Sequence, residues 1–151
     1  MSTNHVETFL KLAADARTRT WEIPLAEVSD ALAQPGARLI DVREAGEWQA
    51  GHAPGAIHLS RGIIEFEISE HAPALDTPIV LYCGRGRRSA LVADNLQKMG
   101  YNNVVIVAGG FEAWRSAGWP VVHDDVAPPL PLNFPPTDYS LQHEYTLTKL
   151  P

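Results

Sequence analysis

The sequence of 151 residues is poor in cysteine, with Cys83 as its single example. One cysteine excludes an intrachain disulfide and favours a reducing compartment, so we expect a cytoplasmic protein. No apolar run approaches the roughly 18 residues of a membrane span, and the N-terminus lacks the apolar block of a secretory signal. We therefore expect no membrane partner.

Positive charge is also scarce, because 12 Lys and Arg residues stand against 18 Asp and Glu residues, which gives a net charge of −6. This balance argues against general nucleic-acid binding. Three of the basic residues nevertheless fall close together, as Arg85, Arg87 and Arg88. A local positive cluster on an acidic protein predicts a small anionic ligand rather than a polyanion.

Apolar periodicity predicts strands that alternate with helices along most of the chain. Strands are expected over 21–23, 38–42, 56–59, 79–82 and 104–107. Helices are expected over 4–17, 24–33, 44–49, 63–69, 89–99 and 111–117. This alternation is typical of an α/β three-layer sandwich with a mainly parallel sheet. Ligands of such sheets bind beyond the carboxyl ends of the strands, which is where Cys83 lies.

Chemistry is concentrated in the segment that follows the predicted strand 79–82. Cys83 is followed by Gly84, Arg85, Gly86, Arg87, Arg88 and Ser89. Two glycines let the loop curl with its amides toward the sulfur, and the arginines and the next helix add positive potential. These features would stabilise a thiolate nucleophile, and Ser89 is expected to cap the helix or donate to the sulfur. The competing interpretation is that Cys83 only packs in the core.

Four motifs in order resemble the rhodanese-like sulfurtransferase family in its single-domain type. The first is Leu39-Ile40-Asp41-Val42-Arg43-Glu44 with Glu47-Trp48; the second is Gly51-His52-Ala53-Pro54-Gly55-Ala56-Ile57-His58; the third is Cys83-x-x-Gly86-x-Arg88-Ser89; and the fourth is Gly109-Gly110-Phe111-x-Ala113-Trp114-x-x-x-Gly118-x-Pro120-Val121. The resemblance implies a five-stranded parallel sheet flanked by helices. It also implies that the cysteine loop cradles the substrate.

The resemblance implies that Cys83 takes a sulfane sulfur as a persulfide, from thiosulfate or a related anion, and passes it to a thiol or to cyanide. No metal or organic cofactor is then needed. The substrate-binding residues implied or expected are Gly84, Arg85, Gly86, Arg87, Arg88, Ser89 and Arg61. The family's sulfurtransferases place arginine five positions after the cysteine, as Arg88 stands here, whereas related phosphatases use a loop one residue longer.

Two other functions stay open from the residues. One is a regulatory module that senses persulfides or docks a partner, and the other is a phosphatase or arsenate reductase on the same fold. Single residues have alternatives as well. Arg88 either binds substrate or neutralises a carboxylate, and Arg61 either faces the loop or forms a surface ion pair. Asp41 is a candidate general base, but we favour a structural carboxylate that pairs with Arg43 or caps nearby amides. His52 and His58 lie six residues apart with no cysteine or third ligand nearby, which argues against a metal site.

The resemblance covers about 20–122, which leaves an extension at each end. We expect 1–19 to form an amphipathic helical extension and 20–122 to form the domain. Half of the twelve prolines fall in 128–151, so we expect 123–151 to be an extended arm. The two extensions are candidates for building a homodimer.

Overall fold

Five short strands form one sheet in the computed structural model, which describes residues 5–123. The strands are β1 (Glu22–Ile23), β2 (Arg38–Asp41), β3 (Ile57–His58), β4 (Ile79–Tyr82) and β5 (Val104–Val107). They run in the order β1-β5-β4-β2-β3, and every neighbouring pair is parallel. The predicted α/β fold with a five-stranded parallel sheet is therefore confirmed. The arm predicted over 123–151 lies, from residue 124 onward, outside the described residues.

The central strand β4 is apolar throughout because both of its faces are covered. Ile79 and Leu81 pack in one core with residues of the helices on their side, and Val80 and Tyr82 pack in a second core on the opposite face. The helices are α1 (His5–Arg17), α2 (Val28–Leu32), α3 (Ala45–Ala50), α4 (Ile64–His71), α5 (Arg87–Lys98) and α6 (Gly110–Ser116). This arrangement is the three-layer sandwich that the alternating pattern predicts.

Register places the ends of β2 and β4 side by side, since Asp41 pairs with Tyr82. The segments that begin at Val42 and Cys83 therefore leave the sheet at the same edge. Parallel strands bring their carboxyl ends together in this way, so the edge gathers side chains from distant parts of the sequence.

Helix boundaries differ from the sequence predictions, most notably at α2 and α5. The helix expected over 24–33 divides into a 3-10 turn at Leu25–Glu27 and the short α2. The helix expected from Ser89 begins two residues earlier, at Arg87, directly after Gly86. Gly86 has φ 97°, a conformation that costs glycine little and that ends the loop abruptly.

The N-terminal helix α1 packs on α5 through a stripe of small residues. Ala13 and Ala16 are each 1% exposed, and their small side chains allow the two helices to approach closely. Beyond the helix end, Arg19 donates two hydrogen bonds of 2.8 and 2.9 Å to Asp94 of α5. The helix predicted over 4–17 is present and belongs to the packed fold. Within 5–123, no helix combines the length and the apolar character that a membrane span requires.

Candidate active site

Cys83 follows the central strand at the carboxyl edge of the sheet. The backbone N–H of Gly86 donates a hydrogen bond of 3.0 Å to Cys83 Sγ. The cysteine residue is 1% exposed and packs partly against the apolar core, yet it also lines a cleft. The sulfur therefore accepts a backbone hydrogen bond beside an open cleft, an environment that suits a reactive cysteine more than one used only for core packing.

The loop after Cys83 is held from outside by the start of α6. The backbone N–H of Phe111 donates to Cys83 O at 2.7 Å, and that of Glu112 donates to Gly84 O at 3.1 Å. Gly110 makes this approach possible, because a Cβ there would lie 2.5 Å from Cys83 O. With its carbonyls bound to α6, the loop turns an amide inward to the sulfur.

A cleft of about 730 Å³ opens above the cysteine loop. Elements that are far apart in sequence build its walls, which include α1, α3, the cysteine loop, the first turn of α5 and α6. Its lining residues are Phe9, Glu47, Cys83, Gly84, Arg85, Arg87, Arg88, Phe111, Glu112, Arg115 and Ser116. Four arginines against two glutamates leave an excess of two positive charges, which is the property that an anionic ligand requires.

Arg88 is bound to a carboxylate rather than free in the cleft. Its two terminal nitrogens donate to the two carboxylate oxygens of Glu47 at 2.6 and 2.9 Å. The hydrogen bonds from Arg88 hold the pKa of Glu47 below its ordinary value, and the same pairing raises the pKa of Arg88. Neutralising a carboxylate, one of the two roles considered for Arg88, is therefore present in the structure, and binding of substrate by Arg88 stays a prediction.

The other arginines of the cleft differ in whether a carboxylate already pairs with them. Arg85 donates to Glu112 at 2.6 Å, and both side chains are mostly exposed. Arg87 and Arg115 have no carboxylate partner among residues 5–123. These two guanidinium groups are consequently the ones available to a ligand.

The expectation that Ser89 caps the helix after the cysteine loop is wrong. Gly86 occupies the N-cap position of α5, and Ser89 lies within the first turn of the helix, so Ser89 does not cap it. Its hydroxyl is buried and finds no hydrogen-bond partner within the described part of the chain. The helix starts earlier than the sequence indicates because the left-handed Gly86 already ends the loop.

Arg61 is not brought into the cleft. Its backbone N–H donates to Val42 O at 3.1 Å, which places the residue at the same edge of the sheet. Its side chain is exposed and is absent from the lining of the cleft, and it forms no ion pair within residues 5–123. A contact between Arg61 and a substrate thus has no geometric support.

The neighbouring strand end carries a sealed ion pair. Asp41 accepts hydrogen bonds from the Arg43 side chain, the shortest at 2.7 Å, and the two side chains are 0% and 5% exposed. Arg43 also donates to Gly51 O at 2.7 Å and lies over the Phe111 ring, 4.1 Å from its centroid. The predicted pairing of Asp41 with Arg43 is confirmed, and it makes Asp41 a structural residue.

The two histidines of the second motif are engaged with the backbone. His52 Nδ1 lies 3.1 Å from Trp48 O, and His58 Nε2 lies 2.8 Å from Arg43 O. Both rings stack on Trp48. No group of three metal-ligating side chains occurs within residues 5–123.

Several residues of the cleft escape prediction from the sequence. Phe9 reaches it from α1, and Phe111, Glu112, Arg115 and Ser116 reach it from α6. One signal was available for α6, because it follows the strand beside β4 and must start at the same edge. Phe9 continues the stripe of Ala13 and Ala16 at helical spacing, which indicates burial but not proximity to the cysteine.

Comparison with known families gives a match over most of the described residues. The family model of the rhodanese-like domain matches residues 24–117, which is more than half of the chain. A curated relative, the thiosulfate sulfurtransferase GlpE of Pseudomonas savastanoi, is 39% identical over 90 residues. The matched part is 60% of this chain and 83% of the relative.

Solved structures resemble the chain at lower identity. A protein of unknown function from Rhodopseudomonas palustris, described as a possible tyrosine phosphatase, has a TM-score of 0.65 at 28% identity. The match covers 81% of this chain and 96% of that one. A thiosulfate sulfurtransferase from Pseudomonas aeruginosa has a TM-score of 0.66 at 26% identity, over 74% of this chain and 22% of that longer one.

Proposed function

This chain belongs to the rhodanese-like domain family, and from that premise we propose that it is a thiosulfate sulfurtransferase that works through a Cys83 persulfide. The observation that carries the proposal is the hydrogen bond from the Gly86 amide to Cys83 Sγ, in a cleft with an excess of positive charge. The similarity to a curated thiosulfate sulfurtransferase supports the donor class.

The first step transfers one sulfur atom to the enzyme. The Cys83 thiolate attacks the outer sulfur of thiosulfate, the sulfur–sulfur bond of thiosulfate breaks, and its electron pair leaves with sulfite. The excess charge of the cleft matches a dianionic donor, and Arg87 is the loop arginine whose charge no carboxylate within 5–123 neutralises. Arg88 lines the same cleft, but its charge is already offset by Glu47.

The second step returns the enzyme to its starting form. A thiolate acceptor, or cyanide in an assay, attacks the outer sulfur of the persulfide. The bond between the two sulfurs of the Cys83 persulfide breaks, and its electron pair returns to Cys83 Sγ, where the Gly86 amide stabilises the thiolate. No external oxidant or reductant enters the cycle.

Mass spectrometry tests the intermediate directly. Incubation with thiosulfate should add one sulfur atom to a peptide that contains residue 83, and cyanide should then remove it. Cys83→Ser should lose the added sulfur and at least about 10³-fold of sulfite release, because a hydroxyl is a far weaker nucleophile at this position. Sulfite release by Cys83→Ser at the wild-type rate would overturn the mechanism.

A phosphate-ester assay separates this proposal from phosphatase chemistry on the same fold. The protein should release sulfite from thiosulfate and leave an aryl phosphate intact under the same conditions. Hydrolysis of the phosphate ester without any sulfur transfer would favour the phosphatase instead.

A further inference from the structure

The cleft is larger than an inorganic sulfur donor requires. Its volume of about 730 Å³ falls in the range of roughly 300–1,000 Å³ that holds drug-sized organic ligands. Thiosulfate at the mouth of the cysteine loop would leave most of that space empty. The remaining walls therefore have room for an organic molecule that meets the same sulfur atom.

Two lining residues outside the cysteine loop give this space a chemical character. Arg115, in the last turn of α6, is exposed and has no carboxylate partner among residues 5–123. Phe9, on α1, is half-buried and offers an apolar ring to the same cleft. Its helix precedes the segment that matches the family model, so this wall is supplied by the chain's own N-terminal helix.

We propose that Arg115 and Phe9 form a subsite for a low-molecular-weight thiol that carries carboxylate groups, acting as sulfur acceptor. This inference rests on the proposed sulfurtransferase function. The acceptor thiolate attacks the outer sulfur of the Cys83 persulfide, and the electron pair of the broken bond returns to Cys83 Sγ. The acceptor leaves as its own persulfide, so that atoms and charge balance.

The chemistry of the two side chains selects this ligand class. A guanidinium binds a carboxylate through two parallel hydrogen bonds, and no side chain within 5–123 occupies the donors of Arg115. The neighbouring Glu112 does not compete, since Arg85 already pairs with it at 2.6 Å. The Phe9 ring covers the carbon chain that joins the thiol to the carboxylate.

Burial of the sulfur favours a small thiol over a thiol on a protein surface. Cys83 is 1% exposed and lines the cleft. A folded partner would need to insert a narrow segment to reach it, whereas a small thiol can enter whole. The positive charge of the cleft also attracts a carboxylate-bearing acceptor before contact.

Acceptor competition provides the experiment. With thiosulfate as donor, kcat/KM is measured for glutathione, which carries two carboxylates, and for 2-mercaptoethanol, which carries none. Arg115→Gln should lower the ratio of kcat/KM for glutathione to kcat/KM for 2-mercaptoethanol about tenfold, the loss expected for one charge-assisted pair. Phe9→Ala should lower this ratio less. Arg61→Gln, an exposed arginine outside the cleft, is the matched control and should keep the ratio. An unchanged ratio in Arg115→Gln would overturn the subsite.

Binding without turnover separates this inference from the proposed function. Calorimetry on Cys83→Ser with S-methylglutathione, which cannot accept sulfur, should show binding that Arg115→Gln weakens. If cyanide accepts sulfur but S-methylglutathione does not bind, the subsite is wrong and the sulfurtransferase stands. If it binds through Arg115 and no donor loads Cys83, the proposed function is wrong and the subsite stands.

Discussion

Two adjacent strand ends at one edge of the sheet use arginine in opposite ways. After β2, Asp41 and Arg43 are buried and bonded to each other, and Arg43 directs a further donor to Gly51 O. After β4, the cleft above Cys83 holds four arginines and only two glutamates. The first arrangement is closed to ligands and the second is open. Charge that is left unpaired beside an open volume, rather than the presence of arginine, distinguishes the candidate site.

The largest effect is expected from breaking the closed pair. Asp41→Asn leaves the Arg43 guanidinium buried beside a neutral amide, and removing one partner of a buried pair costs about 3–5 kcal/mol. Urea denaturation measures this loss. Glu112→Gln, which breaks an exposed pair, should cost only about 0–1 kcal/mol.

Replacing both charges keeps the test decisive if Asp41→Asn does not fold. The double variant Asp41→Asn with Arg43→Met removes the isolated buried charge and should recover part of the lost stability. Equal costs for Asp41→Asn and Glu112→Gln would contradict the contrast between the two strand ends.

The next largest effect is expected from disturbing the contact between α6 and the cysteine loop. Gly110→Ala should destabilise the protein by about 2–4 kcal/mol, because its Cβ would lie 2.5 Å from Cys83 O and its φ is 59°. Sulfur transfer to cyanide should fall with it, since the Phe111 and Glu112 amides would shift from the loop carbonyls.

Gly118→Ala is the matched control for that experiment. Gly118 has φ 73°, but a Cβ added there would meet no other atom within 4 Å, so the variant reports backbone strain alone, about 1 kcal/mol. Thermal melting and the cyanide assay on both variants make the comparison. An equal loss of activity in the two would show that the contact between α6 and the loop is unimportant.

A smaller effect, on the KM for thiosulfate, should distinguish the paired from the unpaired arginines of the cleft. Arg87→Gln should raise the KM for thiosulfate roughly five- to tenfold, because no carboxylate among residues 5–123 offsets its charge. Arg85→Gln should raise it by less than about twofold, since Glu112 already pairs with Arg85. Steady-state kinetics at low and high salt would show it, with the Arg87 effect shrinking as salt rises. A larger effect from Arg85 would reverse the assignment.

The sequence predicts the sheet and the cysteine loop well because both depend on local signals. The apolar run 79–82 is long enough to fix a buried central strand, and Gly86 and Arg88 stand at fixed distances from Cys83. The pairing of Asp41 with Arg43 was also predictable, since the two residues are close in sequence at a strand end. Which loop arginines are paired with carboxylates was not predictable, because the partners of Arg88 and Arg85 lie 41 and 27 residues away in sequence.

Helix starts and distant walls of the cleft depend on tertiary packing and escape sequence reasoning for that reason. From the sequence Ser89 is a plausible N-cap. In the structure Gly86, with its positive φ, is the N-cap and the helix starts earlier. Phe9 reads as an ordinary apolar position of an amphipathic helix, and only the packing of α1 on α5 carries it to the cleft. The expectation that Arg61 contacts substrate rested on its position just after the predicted strand 56–59, and its side chain lies outside the cleft lining.

The smallest effect is expected from the ion pair of Asp94 and Arg19, whose burial is intermediate between that of the closed pair after β2 and that of the exposed pair in the cleft. The Asp94 side chain is 9% exposed, whereas its partner Arg19 is 45% exposed. Hydrogen bonds from Arg19 lower the pKa of Asp94 from 3.8 to about 2 in the folded protein. A depressed folded pKa adds stability above pH 3.8 that is lost as the pH falls through about 2, and the exposure of Arg19 keeps this contribution small.

Urea denaturation of the wild type and Asp94→Asn between about pH 7 and pH 2 tests this linkage. The wild type should be more stable near neutrality, and the gap should close on acidification because protonated Asp94 resembles the amide. Asp15→Asn is the control, since Asp15 bonds the same arginine from an exposed position and should show a smaller gap. A gap that stays constant throughout the acid range would mean that Asp94 stabilises the junction of α1 and α5 by packing rather than by charge.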